Sequence, residues 1–178
     1  MILETQRLIL REFTVHDLED IHVYASNPMV VKHMMWGPNT KEDTQDYMDR
    51  VLSMQKQEPR QEFELAAVIK DTKQLVGGCG IYRSKPSQGE IGYCFHSAFW
   101  GKGFASEAAD RLLEFGFSEL GLHRIFATCR PGNLGSAKVM QKIGMKYEGH
   151  IREHMWHKGS WHDSFQYSIL ENEHRIKA

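Results

Sequence analysis

The sequence predicts a single α/β domain over residues 1–178, of the α+β kind, with a mixed, mostly antiparallel sheet and helices on both faces. Three short β-rich runs in the middle of the chain are joined by polar turns, which is typical of an antiparallel meander. Runs with helical periodicity stand on both sides of this meander. The length of the chain suits one domain, so we expect one continuous sheet.

The first third of the chain predicts one strand and two helices. Leu8–Phe13 alternates like a short strand, and Thr14 with Asp17 forms a capping-box pattern before a helix over residues 15–26. A second helix is expected from Thr40 to about Gln57. Its thin apolar face is typical of a helix at the surface.

The rest of the chain alternates between strands and helices. Strands are predicted at Phe63–Ile69, Leu75–Tyr82, Glu90–Phe95, Arg124–Cys129, Met145–Trp156 and Ser160–Leu170. Helices are predicted at Ser106–Leu120 and Ser136–Ile143, and a glycine follows each of them. Because Arg124–Cys129 is reached through a helix, we expect it to lie parallel to the strand before that helix.

Composition and charge exclude several classes of protein. The chain is 41% hydrophobic and 25% charged, as in ordinary globular proteins. Its formal net charge of -1 creates no field that would draw it to nucleic acid or an anionic membrane. The first residues do not resemble a signal peptide and no apolar run approaches the roughly 20 residues of a membrane span, which favours a cytoplasmic protein. The three cysteines stand in separate apolar runs, so we expect buried thiols.

A glycine-rich segment, Phe99-Trp-Gly-Lys-Gly-Phe104, joins a predicted strand to a predicted helix. The first amides of a helix lack partners and its dipole is positive there, so this end attracts anions. Gly101 and Gly103 allow a close approach of the backbone and a positive φ. The spacing fits neither the dinucleotide fingerprint nor the P-loop. A simple connector and a phosphate-binding loop both remain open on these residues alone.

The segments that accompany this loop carry a resemblance. The loop and its helix, followed by a strand, Asn133-Leu-Gly-Ser136 and Lys142-Ile-Gly-Met145, resemble the GNAT superfamily of acyl-CoA-dependent N-acetyltransferases. Glu4–Arg11 and Gly159–Asp163 resemble the RimJ/RimL-like branch, the ribosomal-protein N-acetyltransferase type. The resemblance covers nearly the whole chain. It implies a GNAT fold whose sheet is splayed between the fourth and fifth predicted strands.

The resemblance also implies where the donor binds. Acetyl-CoA, as co-substrate, would lie between the two splayed strands, with its pyrophosphate on the main-chain amides of the glycine-rich loop. Its pantetheine arm would pair with the edge of the fourth predicted strand, as a peptide strand does. The implied cofactor-binding residues are Tyr93, Cys94, Phe95, His96, Trp100, Gly101, Lys102, Gly103, Phe104, Ala105, Ser106, Asn133 and Ser136.

Two residues are candidates for the chemistry. Acetyl transfer to an amine needs a base and a proton for the departing thiolate. Glu90 matches the position of a glutamate base in several GNAT enzymes, and the alternative is a solvated acid at a strand end. Many members carry a tyrosine acid where this chain has Met140, whose thioether cannot donate a proton. Ser136, one helical turn earlier, is the candidate acid, with a helix cap or a cofactor contact as alternatives.

The acceptor side is less sharply defined. The resemblance points to the connector after the first helix and to the last hairpin, with the candidate substrate residues Met35, Trp36, His154, Trp156 and Asp163. Packing or hairpin pairing explains these positions equally well. The histidines between His150 and His162 lack the spacing of a helical metal site, so no metal is expected.

These residues lead to one expected function and two alternatives. We expect acetyl transfer from acetyl-CoA to a primary amine, either a protein N-terminus or a small amine, by direct attack in a ternary complex. Dimers are common in the branch that the chain resembles, and both a monomer and a homodimer stay open. One alternative is a CoA-binding regulatory module without efficient catalysis, which Met140 favours. The other is an unrelated α/β protein in which the two glycines form only a turn.

Overall fold

Eight strands form one mixed sheet in the order β1-β2-β3-β4-β5-β6-β8-β7 in the computed structural model, which describes residues 1–175. The strands are β1 (Ile2–Glu4), β2 (Leu8–Glu12), β3 (Glu62–Ile69), β4 (Leu75–Lys85), β5 (Gln88–Phe95), β6 (Arg124–Cys129), β7 (Lys146–His157) and β8 (Ser160–Leu170). The helices are α1 (Leu18–Ala25), α2 (Lys41–Met54), α3 (Phe104–Ser118), α4 (Leu134–Lys142) and α5 (Glu171–Arg175), with single 3₁₀ turns at Val15–Asp17 and Ser97–Phe99. All paired neighbours are antiparallel except β5 and β6. The predicted α/β class and mixed sheet are confirmed.

The predicted elements differ from the structure at helix starts, at the turn between β4 and β5, where both strands are longer than predicted, and at the two ends of the chain. Gly103 adopts φ 84° as the N-cap of α3, so this helix begins two residues earlier than predicted. Asn133 caps α4 by accepting a hydrogen bond from the Ser136 amide at 3.2 Å, which excludes the N-cap role for Ser136. Strand β1 and helix α5 were not predicted, because three and five residues are too few to show a periodicity.

Both faces of the sheet are covered by apolar packing. On one face, Leu112 and Leu113 of α3 share a core with Ile81 and Ile125 of the sheet, and all four are fully buried. On the other face, α1 and α2 form a second core, in which Val51 is fully buried with other side chains. Burial of each large apolar side chain contributes about 1.5–3 kcal/mol, so these two cores hold the helices to the sheet.

The sheet is interrupted between β5 and β6. These strands pair only over Gln88–Glu90 and Arg124–Phe126. Strand β5 continues to Phe95, paired on its other side with β4, and β6 continues to Cys129, paired with β8. Residues 91–95 and 127–129 therefore present backbone edges that are not paired with each other. The predicted splay occurs at this place.

Two further expectations concern the cysteines and membranes. Cys79 and Cys129 are buried and Cys94 is half-buried, and all three are free thiols. Across residues 1–175, none of the helices has both the length and the apolar character needed to cross a membrane.

Candidate active site

The glycine-rich loop turns the chain from β5 into α3 through two left-handed residues. Gly101 has φ 74° and Gly103 has φ 84°, values that side-chain-bearing residues rarely adopt. A methyl group placed on Gly101 would meet no atom within 4 Å, so the backbone faces open space there. The loop thus combines exposed main chain with the amino terminus of a 15-residue helix, which is the geometry of an anion site.

Two cations that sequence reasoning missed flank this loop. A methyl group on Gly103 would lie 3.3 Å from Arg7 Nη2 and 4.0 Å from Lys142 Nζ. Arg7 is fixed in place because its Nη1 donates to the Lys102 carbonyl at 3.0 Å and its Nε donates to Glu107 at 2.7 Å. The only signal for Arg7 in the sequence was its place in the resembling segment at the front of the chain. Lys102 points elsewhere, with its Nζ 5.1 Å from the centre of the Phe99 ring.

Glu107 anchors this arrangement from the first turn of α3. Burial acts to raise the pKa of Glu107, but hydrogen bonds from Thr5 and Arg7 outweigh burial and lower it. Thr5 Oγ1 donates to Glu107 at 2.6 Å, and the Arg7 amide donates at 2.7 Å. An ionised acid near a helix amino terminus is also favoured by the helix dipole. Glu107 therefore ties β1–β2 to the loop and leaves the Arg7 guanidinium beside Gly103.

The predicted cofactor-binding residues fall into two groups. Most lie on β5, in the loop or in the first turn of α3, and the Phe95 and Phe104 side chains are buried in the core while Trp100 is exposed. Trp100 Nε1 donates to the Phe95 carbonyl at 2.7 Å, and His96 Nδ1 accepts from the Ala98 amide at 3.0 Å. These contacts fix the path from strand to loop.

Two hydroxyl groups meet at the cleft where α4 approaches β5. Tyr93 Oη lies 3.0 Å from Ser136 Oγ and 3.1 Å from the Ser136 carbonyl oxygen. Burial raises the pKa of Tyr93, so its phenol stays protonated and able to donate. Met140 is fully buried in the core, so no acid can act from that position. The structure thus brings together Tyr93, Ser136 and Asn133 from the predicted set.

Glu90 lies on β5 at the last residue pair before the strands separate. Burial raises its pKa, against the opposing effects of a hydrogen bond from Thr128 and the charge of Arg130. Thr128 Oγ1 is 3.5 Å from the Glu90 carboxylate. Arg130 is buried, and its Nη1 has no hydrogen-bond partner among the described residues. A carboxyl group with a raised pKa at the root of a cleft is suited to proton transfer near neutral pH.

A cavity of about 960 Å³ lies on the α1–α2 face of β3, β4 and β5. Gly78 of β4 and Gly92 of β5 form part of its floor, and a methyl group on Gly78 would lie 3.3 Å from Tyr24 Oη. Apolar and aromatic residues from α1, its following connector and α2 form the opposite wall, including Tyr24, Met34, Trp36 and Tyr47. Tyr93 and Cys94 of β5 also line the cavity, so it adjoins the strand that borders the cleft.

Glu64 is the residue of this cavity that sequence reasoning missed. It accepts hydrogen bonds from the hydroxyls of Tyr82 on β4 and Tyr47 on α2. Burial raises the pKa of Glu64, although the hydrogen bond from Tyr82 opposes this effect. An acid in the otherwise apolar run from Phe63 to Ile69 was a signal for a special environment. Tyr82 comes from the neighbouring strand of the predicted meander, whereas Tyr47 comes from α2, which the sequence does not place beside β3.

The predicted acceptor residues are not gathered at one place. Trp36 lines the cavity, but Met35, His154, Trp156 and Asp163 are not among its lining residues. His154 contacts Ser164 at 2.7 Å, and Trp156 packs edge-on against Trp161 at the exposed hairpin tip. Asp163 pairs with His150 and accepts from the Glu153 amide at 2.8 Å in a separate surface pocket.

The structure offers no cysteine nucleophile at this site. Burial raises the pKa of Cys79, of Cys129 and of Cys94, the last to about 12, so the reactive thiolate form is disfavoured at neutral pH. Within residues 1–175, no group of three or more histidine, cysteine or acidic side chains is arranged to hold a metal ion.

Comparisons with known proteins identify the family. Residues 7–146 match the model of the acetyltransferase (GNAT) domain. The uncharacterized N-acetyltransferase YnaD of Bacillus subtilis is 36% identical over 174 residues, covering 97% of this chain and 99% of that protein. A GNAT-family acetyltransferase from Bacillus anthracis has a crystal structure with a TM-score of 0.87 and 35% identity, covering 97% of this chain and 100% of that chain.

A more distant solved structure shares the fold. It is a spermidine N-acetyltransferase from Vibrio cholerae in complex with CoA and spermine, with a TM-score of 0.80 and 21% identity, covering 95% of this chain and 98% of that chain. The family match over most of the chain agrees with the glycine-rich loop, the splayed strands and the apolar cores on both faces of the sheet. The chain therefore belongs to the GNAT family of N-acetyltransferases.

Proposed function

We propose that this N-acetyltransferase moves acetyl from acetyl-CoA to a primary amine, a protein N-terminus or a small amine, by direct attack in a ternary complex. The observation that carries the proposal is the interrupted pairing of β5 and β6 beside the amino terminus of α3. The carboxyl end of β5 leads into the glycine-rich loop, and residues 92–94 of the same strand line the cavity under α1 and α2. Donor and acceptor would therefore meet at the same strand.

The donor half fits acetyl-CoA on three features of the chain. The open backbone at Gly101 and the helix terminus at Gly103 suit a pyrophosphate, and Arg7 and Lys142 add positive charge beside them. The unpaired edge of residues 91–95 suits a pantetheine arm, whose amides resemble a peptide. Of the other predicted contacts, Asn133 caps α4 and Ser136 lies in its first turn, with its hydroxyl 3.0 Å from Tyr93 Oη.

The reaction needs few protein groups. Acetyl-CoA supplies an activated thioester, and attack by the neutral amine forms a C–N bond while the C–S bond breaks. Glu90 accepts the proton that the amine loses, through a water molecule, and its raised pKa suits this role. The Ser136 hydroxyl donates a proton to the departing thiolate and regains it from Tyr93 or solvent. The protonated thiols of the three cysteines agree with direct attack rather than an acyl-enzyme.

We further propose a branch within the family and residues that contact the acceptor. Assignment to the RimJ/RimL-like branch rests on the motifs at the two ends of the chain. Of the acceptor residues, Trp36 has the best support because it lines the cavity, and Met35 is its neighbour. His154, Trp156 and Asp163 would contact only a large acceptor that extends over the last hairpin. We also propose a cytoplasmic location, a homodimer and one domain over residues 1–178.

The proposal is tested by following release of free thiol from acetyl-CoA with a panel of small amines and N-terminal peptides. Turnover with at least one primary amine is expected. Replacement Glu90→Gln should lower kcat by about 10²- to 10⁴-fold, the range of general acid-base catalysis. We expect the rate of wild-type enzyme to rise as pH increases through the raised pKa of Glu90, and Glu90→Gln should remove this rise.

Asp49→Asn is the matched control, because this exposed acid on α2 contacts only Gln45 among the hydrogen bonds of the described side chains. An unchanged pH-rate profile in Glu90→Gln would remove Glu90 from the mechanism. Absence of thiol release with every amine and peptide would count against the proposed acceptor class.

A further inference from the structure

Glu64 is a carboxyl group that lines the cavity and forms no ion pair with any described residue. Its only hydrogen-bonding side chains are the phenols of Tyr47 and Tyr82, and no basic group of residues 1–175 approaches its oxygens within 4 Å. Phenols stabilise a carboxylate by hydrogen bonds but bring no charge. An ionised carboxylate away from water is costly until a cation reaches it. The group is therefore suited to bind a positively charged ligand.

The position of Glu64 in the sheet separates it from the reacting atoms. It lies on β3, and the cleft lies beyond β5. The backbones of β3 and β5 are about 10 Å apart, because two ordinary strand spacings separate them. The carboxylate leans over β4, because a methyl group on Gly80 would lie 3.1 Å from Glu64 Oε2. Glu64 therefore lies on the cavity side of β4, between the β3 backbone and the strand that borders the cleft. It can contact a second group on the same acceptor.

The cavity between these two points suits a cationic chain. Its lining contains four carboxylates, Asp43, Asp46, Glu62 and Glu64, and one cation, Arg50. Arg50 lies over the Tyr47 ring at 5.5 Å and is exposed, and its charge acts to lower the pKa of Glu64 but does not outweigh the effect of burial. Tyr24, Met34 and Trp36 offer apolar and aromatic surface for methylene groups.

We propose that the acceptor is a linear diamine, with one amine in the cleft and the second, as an ammonium, bound by Glu64 with Tyr47 and Tyr82 as positioning residues. This inference rests on the proposed function, because it assigns the acceptor of the same site. The bound ammonium donates to the Glu64 carboxylate, and the phenols hold that carboxylate in one orientation. A monoamine of equal length lacks this contact and leaves the carboxylate unpaired.

The test compares diaminobutane, diaminopentane and diaminohexane with the monoamines of the same chain length. For wild-type enzyme, kcat/KM is expected to be at least about tenfold higher for the best diamine than for its matched monoamine, which is the ordinary size of one charge-assisted contact. Glu64→Gln should reduce this ratio to about one, mainly through KM of the diamine. Asp49→Asn, which removes one acidic charge from the outer face of α2, should keep the wild-type ratio.

Two outcomes overturn the inference: a ratio near one in wild-type enzyme, or a ratio that persists in Glu64→Gln. If no amine is acetylated, the proposed function fails for small acceptors. Calorimetric titration of CoA-loaded protein with diaminohexane then tests separately whether Glu64 binds an ammonium group. Binding that weakens at least about tenfold in Glu64→Gln and stays unchanged in Asp49→Asn supports it. Absent binding, or equal binding by wild type and Glu64→Gln, overturns it.

Discussion

Burial acts to raise the pKa of three carboxyl groups in this enzyme, and these groups differ in whether hydrogen bonds outweigh that effect. Glu107 has a lowered pKa because its hydrogen bonds outweigh burial, whereas burial raises the pKa of both Glu64 and Glu90. A raised pKa in the folded state means that ionisation opposes folding. The acid that supports the glycine-rich loop therefore stabilises the fold at neutral pH, while Glu64 and Glu90 cost stability there. Such a cost is common at functional sites.

This difference predicts how stability responds to the loss of Glu64. Its folded pKa is raised, so the stability it gives is fully present below its unfolded pKa and is lost as pH rises through the folded value. Glu64→Gln should therefore be more stable than wild type at pH 8, by about 1 kcal/mol, or about 2–4 °C in Tm. The gain should disappear near pH 4, where the carboxyl group is protonated.

Thermal melts of wild type and Glu64→Gln at both pH values check this prediction, with Asp49→Asn expected to match wild type. A variant less stable than wild type at pH 8 would mean that Glu64 mainly supports the fold through its tyrosine contacts. The same measurement thus separates a structural role from a functional one, independently of any acceptor.

Elements with a strong local pattern could be predicted, and contacts between distant elements could not. Strands β6 and β8 occupy the predicted ranges because alternation and flanking turns define them. The glycine-rich loop could be placed because a strand-like run precedes it and a run with helical periodicity follows it. The contact of Arg7 with Glu107 joins residues 100 positions apart, and Glu64 meets tyrosines from α2 and β4. No local pattern encodes such contacts, because they depend on how the elements pack.

At the scale of α3, the two glycines beyond its ends provide a matched test of the loop. Gly103 at φ 84° precedes the helix and Gly121 at φ 63° follows it. Valine at either position forces a β-branched residue into a left-handed conformation, at a cost of about 1–3 kcal/mol. Gly103→Val should also abolish CoA binding, since a side chain there enters the space beside Arg7. Gly121→Val should bind CoA normally.

Calorimetric titration with CoA, together with a thermal melt of each variant, measures both effects. Lys102→Ala should only weaken binding, because the Lys102 ammonium lies over Phe99 rather than beside the two glycines. Normal CoA affinity in a folded Gly103→Val protein would show that the pyrophosphate binds elsewhere.

At the scale of the whole molecule, CoA bound in the cleft would contact both parts of the interrupted sheet. Strands β1 to β5 and the group β6, β8 and β7 are joined within the sheet only by the short parallel pairing of β5 and β6. Backbone groups on the facing edges beyond that pairing lack strand partners and should exchange their amide hydrogens readily. A ligand that fills the cleft would contact both edges and couple the two groups of strands.

Hydrogen exchange followed by mass spectrometry checks this coupling. Saturating CoA is expected to slow exchange in peptides that contain residues 91–95 and 127–129, and to leave β1 and the tip of the β7–β8 hairpin unchanged. At about 100 times its Kd, the ligand should add about 2.7 kcal/mol to the free energy of unfolding, or about 5–10 °C in Tm. Stabilisation of this size without protection of either edge would mean that CoA binds outside the cleft, since a bridging ligand cannot stabilise the fold without ordering the two edges it joins.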